Sequence, residues 1–265
     1  MHVTSLRFTS ETTSDGVSER LFTLGDITGV FWSPAEAAGR RPLVLLGHGG
    51  GGGHKKAPGV VARARRYAAD CGFAVAASDA PGFGDRPKTE RDEHFIAGIR
   101  AQAAAGEPVL PQVARYNAVI AAQAVPEWRA TLDALQETVG AIGVIGVIGG
   151  IGDDGPVGYW GVSLGGAIGV PLVAAEPRIT AAVFGLVGQE TLAEAAAQVS
   201  VPVQFLLQWD DELVPRDAGL ALFGAFGSGE KTLHANPGRH GEVPAFELED
   251  AERFFTRHLR RMASA

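Results

Sequence analysis

From about residue 43 onward, short unbroken apolar runs alternate with stretches whose apolar residues recur every three or four positions. Runs of the first kind fit buried strands and the others fit amphipathic helices, so the alternation predicts a largely parallel sheet flanked by helices. Leu43, Val44, Leu45 and Leu46 form the first buried strand. Val60, Ala64, Tyr67 and Cys71 follow at helical spacing, and a second strand covers 73–77. Pro126 reads as the first turn of a helix that sets Trp128, Leu132, Leu135 and Val139 on one face. Further strands are expected over 156–160, 179–186, 203–208 and 231–234, with helices near 190–198 and 216–226. A last amphipathic helix aligns Leu248, Ala251, Phe255 and Leu259. Ahead of residue 43, strands over 20–24 and 28–32 pair as a hairpin through Gly25 and Asp26.

Two stretches break this rhythm. Residues 86–125 separate a strand from its following helix by far more than the usual few residues. They contain Pro87, Pro108 and Pro111 and helical pieces near 91–104 and 112–124, which reads as a small helical cap inserted in a single domain spanning 1–265. The second stretch, 140–152, is a near-repeat of glycine with isoleucine and valine. Gly150 to Gly155 even fits G-x-G-x-x-G, but that pattern precedes a strand instead of opening a helix, and Asp153 and Asp154 would repel phosphate. A loop or strand extension is the better reading.

Composition narrows the function. The chain has 265 residues, 46% of them hydrophobic and 20% charged, and a net charge of −7. That is an ordinary globular balance with no basic footprint for nucleic acid or an anionic membrane. Cys71 is the one cysteine, which excludes an intrachain disulfide and a cysteine-rich metal site; its spacing suggests a small core residue. The first residues lack the basic start and apolar run of a signal peptide, and 139–152 is too short and glycine-broken to span a bilayer. A cytoplasmic protein follows as the expectation, and a homo-oligomer is compatible with everything above.

Four motifs carry chemistry. Gly161-Val162-Ser163-Leu164-Gly165 fits G-x-S-x-G, a sharp strand-to-helix turn in which small neighbours leave room for a strained serine. A serine hydroxyl needs an adjacent base, and that base needs an orienting group. Trp209-Asp210-Asp211-Glu212-Leu213-Val214-Pro215 follows an apolar strand and offers two candidate acids, Asp210 and Asp211. Asn236-Pro237-Gly238-Arg239-His240 lies in a turn past the last short strand, where an imidazole can swing toward Ser163; His234, inside that strand, is the weaker candidate. Gly47-His48 and the glycines 49–53 follow the first buried strand, where close-approaching backbone N–H groups could bind a developing oxyanion. A phosphate loop is excluded there, since Lys55 and Lys56 stand out of register with it.

Together with Asp79-Ala80-Pro81-Gly82-Phe83-Gly84-Asp85, these motifs resemble the α/β-hydrolase superfamily over about residues 20–260, most closely its dienelactone-hydrolase-like and carboxylesterase branch. The resemblance implies an α/β-hydrolase fold and the order nucleophile, acid, base along the chain. It selects Asp211, since D-x-x-V-P resembles the turn that carries the acid in this superfamily. It further implies oxyanion donors from the N–H groups of Gly50 and Leu164. Dienelactone hydrolases use cysteine where this chain has Ser163, which favours general ester hydrolysis. Branches that carry aspartate at this turn, the dehalogenases and epoxide hydrolases, are excluded. The expectation is a serine hydrolase of small-molecule carboxylic esters with no metal or organic cofactor, no nucleic-acid partner and no membrane association. Peptide or thioester cleavage on the same machinery is one alternative, and a non-catalytic binding protein of this fold is another.

Overall fold

The computed structural model describes residues 5–36, 41–140 and 155–261. All but the first residue of the 140–152 repeat lies outside them. Among the described residues, nine strands form one sheet: β1 (Arg7–Ser14), β2 (Val17–Leu24), β3 (Ile27–Pro34), β4 (Leu43–Gly47), β5 (Ala74–Ser78), β6 (Val157–Val162), β7 (Ile179–Gly185), β8 (Val203–Gln208) and β9 (Lys231–Asn236). Their spatial order is β1-β2-β3-β5-β4-β6-β7-β8-β9. The segment from β5 to β9 is parallel, and β1, β2 and β3 extend it as antiparallel strands.

The described residues form seven α-helices around these strands: α1 (Pro58–Ala69), α2 (Glu90–Ala104), α3 (Leu110–Gly140), α4 (Leu164–Ala175), α5 (Ala193–Gln198), α6 (Arg216–Ala225) and α7 (Phe246–Arg261). Parallel strands β4 to β8 are largely buried on both faces, as a sheet covered twice must be, whereas edge strand β9 is mostly polar and part-exposed. One face buries Leu45, Tyr159 and Phe184 against Leu132 of α3, Leu172 of α4 and Leu222 of α6. The other buries Leu46, Val75 and Val183 against Tyr67 of α1 and Phe255 and Leu259 of α7. Cys71 sits in this second layer, 5% exposed, and burial pushes its thiol up to about 11. No described helix is long and apolar enough to cross a membrane.

Strand β1 was not expected from the sequence. Seven of its eight residues are exposed, so it carries no alternation to read; it exists through its ladder with β2. Pro126 is also corrected. It does not open a helix but lies inside α3, which runs unbroken from Leu110 to Gly140. An interior proline costs about 3 kcal/mol, yet Tyr116, Ile120, Ala124, Trp128, Leu132, Leu135 and Val139 make one buried stripe across it. Burying that stripe outweighs the lost backbone bond.

Register brings the motif-bearing loops together. Gly47 pairs with Gly161, so the glycine run after β4 and the serine turn after β6 leave the same end of the sheet side by side. Gln208 pairs with Asn236, so the loops bearing Asp211 and His240 leave adjacent strands at that end too.

Candidate functional site

Ser163 caps α4 with φ 56° and ψ −119°, a left-handed backbone that non-glycine residues seldom adopt. The turn is held by its surroundings. The Ser163 N–H donates to Gly185 O at 2.9 Å, and the Tyr159 hydroxyl donates to Gly165 O at 2.7 Å. A Cβ at Gly161 would lie 2.5 Å from Gly165 O, and one at Gly165 would lie 2.6 Å from Gly47 O. No larger residue fits at either position. The structure therefore over-determines a strained serine, as nucleophile turns require.

His240 comes from the loop after β9. Its Nε2 lies 3.1 Å from Ser163 Oγ, and its Nδ1 lies 2.8 Å from Asp211 Oδ2. Asp211 Oδ1 accepts from the Leu213 and Val214 N–H groups at 2.8 and 2.9 Å. Burial acts to raise the Asp211 pKa, but the His240 hydrogen bond and these two backbone N–H groups outweigh it and hold the carboxyl below its usual range. An ionised carboxylate can only accept, so the imidazole proton sits on Nδ1 and the Nε2 lone pair faces the Ser163 hydroxyl.

The competing candidates are used elsewhere. Asp210 ties the two loops together: its carboxylate accepts the Gly238 N–H at 3.3 Å, and its own N–H donates to Gly238 O at 3.1 Å. His234 faces away toward α7, with Nδ1 2.9 Å from Glu247 Oε2. Trp209 is 44% exposed and stacks beneath the Arg216 guanidinium at 4.0 Å. It is not a core residue.

Gly50 stands next to Leu164, the residue after Ser163: a Cβ built there would meet the Leu164 Cβ at 3.9 Å. His48, 3% exposed, sets the direction of the Gly50 N–H. Its Nε2 accepts from the Ala80 N–H at 3.0 Å, so Nδ1 carries the proton and donates to Gly49 O at 2.7 Å. The Gly49 carbonyl and the Gly50 N–H belong to one trans peptide and point in opposite directions. Burial lowers the His48 pKa, against the Gly49 hydrogen bond and Asp79, and so keeps the ring in the neutral form this arrangement needs.

Sequence reasoning missed the network beneath that loop. Asp79, its side chain fully buried, accepts from the Lys55 N–H at 2.8 Å, Lys55 Nζ at 2.5 Å, Thr28 Oγ1 at 2.9 Å and the Asp85 N–H at 3.0 Å. Lys55 Nζ also meets Asp85. These groups are 24 or more residues apart except within the 79–85 turn, so no local spacing announces them. Losing one partner of a buried ion pair costs about 3–5 kcal/mol. Lys55→Met is therefore expected to lower the unfolding free energy by about that much in urea titration, because the Asp79 charge stays buried without a cation. Unchanged stability would show the pair to be solvent-compensated.

Among the described residues, His234, Glu247 and Asp250 bring three metal-capable atoms within 4.8 Å of one another. Asn236 donates to Glu247 and Arg253 pairs with Asp250, so protein donors already engage both carboxylates.

No protein-family model and no curated protein sequence matches the chain. Solved structures do. A cold-adapted esterase from an Arctic intertidal metagenomic library, in its complex with PEG, is 34% identical over 96% of this chain and 99% of its own, with a TM-score of 0.73. Dienelactone hydrolase from Anabaena variabilis covers 98% of this chain and 100% of its own at 17% identity and a TM-score of 0.58. Acetyl xylan esterase 1 from Thermoanaerobacterium covers 96% of this chain and 87% of its own at 15% identity and a TM-score of 0.61. The last two share the fold; the first shares sequence as well.

Proposed function

Because this chain belongs to the α/β-hydrolase superfamily, in its dienelactone-hydrolase-like esterase branch, we propose that it hydrolyses carboxylic esters through an acyl-enzyme on Ser163. The observation that carries the reading is the unbroken line from Ser163 Oγ through the His240 ring to Asp211, at 3.1 and 2.8 Å.

In the forward half-reaction the Ser163 oxygen attacks the ester carbonyl while His240 Nε2 takes the hydroxyl proton. Asp211 stabilises the imidazolium that forms and keeps the ring oriented. The carbonyl oxygen, now carrying the negative charge, accepts from the Gly50 and Leu164 N–H groups. The tetrahedral adduct collapses, and His240 returns its proton to the departing alcohol. Water then attacks the acyl-enzyme by the same steps in reverse roles, releasing acid and free Ser163. Ser163, His240 and Asp211 already stand in hydrogen-bond reach in that order, so little reorganisation of these side chains precedes attack.

Helix α2 and the first half of α3, joined by a ring stack between Phe95 and Tyr116 at 5.2 Å, serve in this reading as the cap over the substrate. Ester, not peptide, cleavage is favoured because the 34%-identical relative is an esterase. A fluorophosphonate probe tests the proposal and separates it from a non-catalytic binding role. One equivalent of probe is expected to bind per chain, with peptide mapping placing the adduct on Ser163 and ester turnover lost in proportion. Labelling at another residue, or none, would overturn it.

A further inference from the structure

A cleft of about 440 Å³ is walled by α3, α4 and the segment 189–195. That volume falls in the range of small-molecule sites, about 300–1,000 Å³. Ala167, Pro171 and Ala175 line it from α4. They continue the four-residue spacing that starts at Ser163, so the nucleophile heads the helix face that floors the cleft. The opposite wall is likewise close to the serine turn: Gly185, whose carbonyl holds the Ser163 N–H, precedes the lining residue Gln189 by four positions.

The walls are apolar, yet three acceptor oxygens there lack ordinary donors. Gln189 is 6% exposed, and its Oε1 accepts from no described residue. Pro126 has no N–H for the carbonyl of Ala122, four residues earlier, and Pro171 has none for Ala167. All four of these residues line the cleft. Two interior prolines in two adjacent helices thus turn helix carbonyls loose at one place. Charged side chains are missing from the lining, so an ionic ligand has no partner in it.

Resting on the acyl-enzyme reading above, we propose that this cleft holds the acyl portion of the substrate, and that the preferred acyl group is an aliphatic chain of medium length carrying hydroxyl groups. The alanines and prolines take its carbons. Its hydroxyl protons go to Gln189 Oε1 and to the carbonyls left by Pro126 and Pro171. From Ala167 to Ala175 the floor extends about 12 Å at 1.5 Å per residue.

Initial rates on nitrophenyl acetate, octanoate and hydroxyoctanoates test this with two variants. Ala118→Trp fills the cleft from an exposed position on α3. It is expected to lower kcat/KM on the octanoyl ester by about tenfold or more while acetate turnover stays within about twofold. Gln189→Leu removes an acceptor whose unmatched burial penalises plain chains. It is expected to shift the hydroxyoctanoate-to-octanoate ratio about tenfold toward the plain chain. Ser163-dependent activity with both ratios unmoved would overturn the cleft assignment alone. Activity that survives Ser163→Ala would instead overturn the acyl-enzyme reading.

Discussion

Ser163→Ala is expected to lower kcat on a nitrophenyl acetate by about a million-fold, with KM nearly unchanged. The size follows from what the residue does in the proposed reaction. Every later step uses the covalent adduct, and neither His240 nor the backbone donors can form one. Folding is expected to survive, because alanine is no bulkier than serine and the φ of 56° is held by the Gly185 hydrogen bond and the crowding at Gly161 and Gly165, not by the hydroxyl. The residue that remains, an oxyanion pocket with an unused base, is expected to give weak background hydrolysis over water. Stopped assays on purified variant, with its urea midpoint measured beside wild type, separate loss of chemistry from loss of fold. A variant that kept even a hundredth of wild-type kcat would point to another nucleophile.

How much of this was readable beforehand depended on whether the cause was local. The serine turn was legible because its constraint is written within five residues: only glycines at 161 and 165 spare backbone collisions with 165 and 47. The strand ahead of the Asp211 loop was legible because both-face burial makes short apolar runs, as in Phe205 to Leu207 of β8. His240 could be preferred over His234 from position alone, and the structure brings the first to Ser163 and the second to Glu247.

Non-local causes were invisible. Strand β1 is made by pairing with β2 and not by its own pattern. The continuity of α3 through Pro126 depends on a buried stripe that only a packed sheet rewards. Lys55, Asp79 and Thr28 meet across three separate segments, and a lysine in a glycine-rich stretch looks solvated until the fold closes around it. His48 belonged to a recognised motif, but its work through the Gly49–Gly50 peptide needed the Ala80 N–H, 32 residues away. The pattern is consistent: local motifs marked the loops that meet at Ser163, and tertiary contacts specify how those loops are held.

The choice between two neighbouring aspartates gives the second large effect. Asp211→Asn is expected to reduce kcat by about ten-thousand-fold, and Asp210→Asn by no more than about twofold. An amide at 211 keeps the size and the Leu213 and Val214 contacts available to its oxygen, but its NH2 group can face His240 Nδ1. The ring then accepts at Nδ1 and carries its proton on Nε2, where it can no longer take one from Ser163. At 210 the carboxylate only joins the acid loop to Gly238, and an asparagine oxygen can accept that same N–H. Because the folded-state pKa of Asp211 lies below its ordinary value near 4, its charge is complete above that value and is lost only as pH falls through the lowered one. Wild-type kcat measured from pH 5 upward is therefore expected to show no ionisation from this carboxyl, so the deficit of Asp211→Asn should persist across that whole range. Activity lost instead in Asp210→Asn, with Asp211→Asn near wild type, would move the orienting role one residue back along the loop.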